Sequence, residues 1–192
     1  MLNELAALIN KNIPYAKAVV FIPENTKLDG SITIEASAIL DLAKFFRTST
    51  EMGFNALEVI SGVDYLDYIE VNYMFANFDV NNMRRITIKV KVEDRVNGNV
   101  ESICRVYPAA NWQERECYDM LGVSFKGHPD HRRILCPDDW EGFPLRKDYI
   151  AAKVYNTMEI YPDSKMNMPD RDFIVRQSMI KKAQGAAASD KV

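Results

Sequence analysis

The spacing of apolar and polar positions divides the chain into segments of helical and of extended period. Leu5, Leu8 and Ile9 share one face over residues 2–9, which predicts a short amphipathic helix. The β-branched and aromatic run Val19-Val20-Phe21-Ile22 predicts a strand, and after a polar turn Ser31-Ile32-Thr33-Ile34 predicts a second. Between residues 36 and 52, Ile39, Leu42, Ala43 and Phe46 recur at three- and four-residue steps, and Gly53 is placed to end that helix. The period then becomes two. Ile69, Val71, Tyr73 and Phe75 alternate with more polar neighbours, as do Ile86, Ile88, Val90 and Val92. With residues 56–63 these predict three successive antiparallel strands, one face buried and one partly wet.

Beyond the turn signal Asn97-Gly98-Asn99, Pro108 introduces a helix over about residues 109–121, closed by Gly122. Residues 122–148 are rich in Pro, Gly, His and Arg and show little periodicity. A further helix is expected over 170–183, and a disordered end over 185–192. The fold class expected is α+β. Helices pack on a mostly antiparallel sheet, followed by a short helix and an extended, irregular C-terminal segment. The expected divisions are an α+β domain over 1–95, a short helix with irregular loops over 96–149, and a tail over 150–192 that partners order.

Composition narrows the function. Apolar residues make up 47% and charged residues 27%, so the chain of 192 residues can bury a core. The net charge of −3 opposes nucleic-acid binding, which calls for a basic surface. No stretch approaches the ~18 apolar residues of a membrane span, so membrane association is expected only through partners. Residues 1–12 lack the basic start, apolar core and cleavage site of a secretory signal. Cys104, Cys117 and Cys136 form no disulfide framework, which favours reduced thiols and a cytosolic face.

Positions 107–149 read YPAANWQERECYDMLGVSFKGHPDHRRILCPDDWEGFPLRKDY. The spacing of Pro108, Ala110-Asn111-Trp112, Glu114-Arg115-Glu116, Tyr118-Asp119-Met120 and Gly122 resembles the signature of a family in respiratory complex I, an NADH-quinone oxidoreductase. That family is the thirty-kilodalton subunit, also called the C subunit. Gly127-His128-Pro129, Arg132-Arg133-Ile134-Leu135, Gly142 and Pro144-Leu145-Arg146-Lys147-Asp148 extend the match. Upstream, Gly62-Val63-Asp64 and the strand pair ending near Arg84-Arg85 are also similar. The resemblance implies a peripheral-arm subunit on the cytoplasmic face of the membrane, without a cofactor of its own. NADH, flavin, iron-sulfur clusters and quinone would reside in partner subunits. The implied neighbours are the large quinone-site subunit and the small cluster-carrying subunit, with the membrane arm reached indirectly. Two other readings stay open. One is the equivalent subunit of a ferredoxin-, F420- or hydrogenase-type energy-converting complex. The other is a free-standing assembly adaptor.

The residues that stand out are Trp112, Glu114, Arg115, Glu116, Asp119, His128, Arg132, Arg133, Arg146, Lys147 and Asp148, expected at a subunit interface or in the structural signature. Arg115 and Asp119 lie four apart and can pair along the helix, worth a few tenths of a kcal/mol if exposed. Alternatively the Glu114-Arg115-Glu116 charges bond a neighbouring loop or subunit, a role that suits the planar guanidinium. Arg132, Arg133, Arg146 and Lys147 flank Trp140 and Phe143, a mixture that favours protein docking. His128 and His131 with Cys136 suggest a metal site, but a bent His-Pro-Asp-His loop offers too few ligands at compatible geometry. At position 131 the family commonly has an apolar residue. Three cysteines without C-x-x-C supply no iron-sulfur site, and no Gly-rich phosphate loop follows a strand. Cys117 lacks a marked partner base and reads as core.

Overall fold

The computed structural model describes residues 2–24, 30–49, 53–79, 83–152 and 154–160. Helix α1 (Leu2–Asn12) buries Ala6 and Ile9, with Leu5 and Leu8 packed partly against the core. Strands β1 (Val19–Phe21) and β2 (Ser31–Ile34) follow, then α2 (Ile39–Thr48), which begins after a short 3-10 turn at Ala36–Ala38. Its buried positions Ile39, Leu42, Ala43 and Phe46 are those the helical period selects. The long strands β3 (Ala56–Asp64), β4 (Ile69–Asn77) and β5 (Arg84–Val92) match the period-two segments.

The protein is α+β. One five-stranded sheet has the order β1-β2-β5-β4-β3, antiparallel at every pairing except β2 with β5, which is parallel. Ile69, Val71, Tyr73 and Phe75 of β4 and Ile86, Ile88, Val90 and Val92 of β5 all point into one core with α1 and α2. On the opposite face Glu70, Asn72, Thr87 and Lys89 stay partly exposed, as expected of a sheet covered on one side.

The same core continues into the signature segment. Helix α3 (Ala110–Leu121) buries Ala110, Cys117 and Leu121, and Gly122 ends it in the left-handed region with its N–H donating to Tyr118. Within the stretch that shows no periodicity, β7 (Ser124–Lys126) pairs in parallel with β6 (Asn99–Glu101). Three-residue strands are too short to leave a periodic trace, although Val100 and Phe125 are buried there. Residues Met1–Tyr149 form one compact unit and Ile150–Val192 another. In the second, β8 (Val154–Tyr155) and β9 (Met158–Glu159) form an antiparallel pair. The helix expected over 170–183 and the disordered end over 185–192 lie outside the described residues.

Helix α3 closes the outer edge of β3. Ile60 N–H donates to the Gln113 side-chain oxygen, and Gln113 Nε2 donates back to the Glu58 carbonyl at 3.3 Å. Gly62 permits this approach, because a Cβ there would collide with Leu121 Cδ1 and come near Cys117 Sγ. We expect Gly62→Ala to cost about 1–3 kcal/mol through overpacking, measured by urea unfolding. A variant as stable as the parent would show that α3 shifts freely on the sheet.

Candidate functional site

The signature residues converge on α3. Asp119 is fully buried, and one carboxylate oxygen accepts three successive backbone N–H groups: Ile134 at 3.0 Å, Leu135 at 2.6 Å and Cys136 at 2.8 Å. The other oxygen accepts from Arg133 Nη1 at 2.6 Å. Arg133 in turn donates through Nη2 to the carbonyls of Trp140 and Gly142, both at 2.9 Å. Burial opposes the negative charge of Asp119, yet these donors together hold its carboxyl below the usual aspartate range.

Arg115 does not pair with Asp119. It donates to the carbonyls of Arg132 at 3.1 Å and Arg133 at 3.0 Å, and lies 3.4 Å from Asp130. Helix spacing allowed the local pair, but the strap of residues 130–146 brings better directed tertiary partners to both side chains. Arg146 fastens the far end of that strap, donating to Leu121 at 2.6 Å and Arg95 at 2.5 Å while its guanidinium lies over Phe143. Gly122 leaves room for this, since a Cβ would meet Arg146 and Phe143 at 2.5 Å.

A second carboxylate on α3 has a different environment. Glu114 is fully buried and accepts from Ser102 Oγ at 2.5 Å and Ile103 N–H at 2.8 Å. Burial pushes its carboxyl up to about 7, against the opposing effect of these two bonds. His128 Nε2 is 4.0 Å away. Its Nδ1 accepts from Asp130 N–H at 3.0 Å, which puts the ring proton on Nε2, 3.0 Å from the Asn111 carbonyl. The ring is therefore neutral, and the pair is not a salt bridge.

Among the described residues, Cys104, Glu114 and His128 place ligand-type atoms within 4.8 Å of one another. Both His128 nitrogens are engaged, one accepting and one carrying the proton, so neither presents a lone pair to an ion. His131 and Cys136 are directed elsewhere. The His131 Nε2 accepts from Phe125 N–H, and the Cys136 thiol has Asp119 as its side-chain hydrogen-bond partner. Burial, then Glu116 and Glu114, push the Cys117 thiol up to about 12, which makes it a poor nucleophile.

The family described as "Respiratory-chain NADH dehydrogenase, 30 Kd subunit" matches residues 32–155, a span that takes in β3, β4, β5, most of β2, α3 and the strap. The chain belongs to that family. The NADH-quinone oxidoreductase C subunit of Chlorobium phaeobacteroides is 43% identical over 121 residues, 62% of this chain and 72% of the relative. The protein of the same name from Chloroherpeton thalassium is 40% identical over 141 residues, 71% of this chain and 57% of the relative. A chain of a membrane-bound sulfane sulfur reductase, an archaeal respiratory membrane complex, shares the fold at 22% identity with a TM-score of 0.62. That match covers 85% of this chain and 98% of that one. Membership of the thirty-kilodalton family makes the chain a subunit of a multi-subunit respiratory oxidoreductase.

Within this family member, the residues singled out by sequence have unlike surroundings. Glu114, Arg115, Asp119, His128, Arg133 and Arg146 bond within the chain around α3. Asp148 pairs with Arg95, Lys147 donates its backbone N–H to Asp64 at 2.8 Å, and Arg132 pairs with Asp130 at the surface. Trp112 and Glu116 are exposed. Asp64 and Arg95 were not assigned roles from sequence, although buried Asp64 accepts from Arg95 at 2.7 Å and joins the end of β3 to the strap. The one signal in the sequence was Asp64 in the Gly62-Val63-Asp64 match, a charged residue closing an apolar strand.

We expect Asp119→Ala to cost about 3–5 kcal/mol, because Arg133 and three backbone donors lose their acceptor. Chemical denaturation checks this, and a cost below about 1 kcal/mol would contradict it. The Asp119 contribution is complete above about pH 4 and is lost as pH falls through its depressed value. Glu114 acts in the opposite sense. Its raised value gives stability that is present below the ordinary carboxyl range and lost as pH rises towards about 7. Thermal unfolding followed from pH 5 to 8 should show that decline in the parent, flattened in Glu114→Gln. Parallel profiles would contradict the assignment.

Proposed function

We propose that this chain is a cofactor-free bracing subunit of the peripheral arm of a proton-translocating NADH-quinone oxidoreductase. It lies against the large quinone-site subunit and the small cluster-carrying subunit, on the cytoplasmic face of the membrane. NADH, flavin, iron-sulfur clusters and quinone belong to those and other partners. The observation that carries the reading is the way Asp119, Arg133, Arg115 and Arg146 are used. Their polar atoms fix an irregular strap to α3, and such a use makes a rigid surface instead of a reacting centre.

The family, and the relatives named as the C subunit of NADH-quinone oxidoreductase, support the assembly. No helix among the described residues is long and apolar enough to cross a membrane, which suits a peripheral position. The mechanistic role is narrow. Electrons pass through neighbours, and this subunit holds their relative positions against thermal motion.

The test is purification from native membranes through a tag on this chain. We expect the quinone-site, cluster-carrying and NADH-binding subunits to accompany it in fixed ratio. Recovery with hydrogenase or ferredoxin-type subunits instead would assign it to a related energy-converting complex. Recovery alone would leave the adaptor reading. Elemental analysis of the isolated chain should find no stoichiometric metal.

A further inference from the structure

We propose that His128 is a two-position toggle between α3 and the loop of residues 127–131. While Glu114 carries its proton, the His128 Nε2–H is held on the Asn111 carbonyl. When Glu114 ionises, that N–H turns to the carboxylate and the loop is released at Asp130. The proposal goes beyond the bracing role and does not depend on it.

Two acceptors stand before one donor. His128 Nε2 lies 3.0 Å from the Asn111 carbonyl and 4.0 Å from Glu114 Oε2, and both side chains are fully buried. A movement of about 1 Å exchanges one acceptor for the other, and a charged carboxylate is the stronger of the two. The same ring holds the loop, because its Nδ1 accepts from the Asp130 N–H at 3.0 Å. A rigid ring that follows Glu114 carries Nδ1 away from that amide. Gly127 supplies the hinge. It sits in the left-handed region at φ 79°, and a Cβ there would meet nothing within 4 Å.

The surroundings leave an ionised Glu114 without a counter-charge. Ser102 and Cys104 face it from the turn after β6, and Tyr73 and Cys117 from β4 and α3. Burial keeps the Tyr73 hydroxyl well above its ordinary value and the Cys117 thiol at about 12, so both stay neutral. The Tyr73 hydroxyl has no hydrogen-bond partner among the described residues. Arg115 turns its guanidinium to the Arg132 and Arg133 carbonyls. Beside His128, the His131 imidazole is lowered by burial, and the Asp130 carboxylate is taken by Arg132 at 2.8 Å and lies 3.4 Å from Arg115. A buried charge held by two neutral donors is costly, and the His128 N–H is within reach to relieve it. Burial brings the step close to neutral pH, since the Glu114 carboxyl is raised to about 7.

NMR of the full chain, followed from pH 6 to 8, reads both positions. We expect the Asp130 amide to lose exchange protection at least about fivefold, relative to an unstructured peptide, as pH rises. The His128 Nε2–H should move downfield over the same range, with Nδ1 unprotonated throughout. The Leu135 and Cys136 amides, which Asp119 holds, should keep their protection. In Glu114→Gln, neutral at every pH, the Asp130 amide should stay at its pH 6 protection. Constant Asp130 protection in the parent would overturn the toggle, as would a pH-dependent loss in folded Glu114→Gln. A parallel loss at Leu135 and Cys136 would also overturn it, because that marks loosening of the whole segment. If Glu114→Gln does not fold, the parent's contrast between Asp130 and Leu135 decides.

Discussion

The buried carboxylate of Asp119 is the interaction on which the distinctive half of the molecule depends. An irregular chain segment has no ladder of its own, so its backbone donors must find acceptors elsewhere. Residues 134–136 direct three N–H groups to a single oxygen of Asp119, while Arg133 neutralises the other. The arrangement places a full charge out of water and compensates it on every side. Strap and helix are therefore coupled: neither side can move without exposing the other's unsatisfied group.

The contrast with Glu114 shows that environment, not residue type, sets the behaviour of these two acids on one helix. Asp119 has a guanidinium and three amides, and remains a carboxylate despite burial. Glu114 has a hydroxyl and one amide, with a neutral imidazole 4.0 Å away, and its carboxyl rises to about 7. The first acts as an electrostatic clamp on the strap. The second joins α3 to the turn at Ser102 and Ile103, where the short β6-β7 pair enters the core. Stability supplied by the clamp fails in acid and that supplied by the joint is lost as pH rises towards about 7. The signature segment is consequently best held between those limits.

Much of this fold can be read from periodicity, and the site only in part. Ile39, Leu42, Ala43 and Phe46, or Ile86 to Val92 at alternate positions, announce their elements because one face of each meets the core. The parallel pairing of β2 with β5 leaves no such trace, since it depends on contacts between residues far apart in the chain. The pairing partners of Arg115 and Asp119 were hidden for a related reason. Helix spacing offers each to the other for a few tenths of a kcal/mol, whereas the strap supplies several charge-assisted bonds to each. Only the three-dimensional course of residues 130–146 decides that competition. Asp64 and Arg95 illustrate the same limit, joining positions 31 apart.

This use of charge changes what the signature can present to its surroundings. A sequence rich in Glu, Arg and Asp suggests a surface that recognises partners through ion pairs. In the folded chain Arg115, Arg133 and Arg146 satisfy backbone carbonyls, while Trp112, Leu135 and Leu145 are exposed. Holding the shape of the segment is thus the work of these buried charged groups. Charge used this way gives the signature segment a fixed shape. Its stiffness comes from buried bonds that cannot loosen singly, because each lost partner strands another group in a medium that solvates charge poorly.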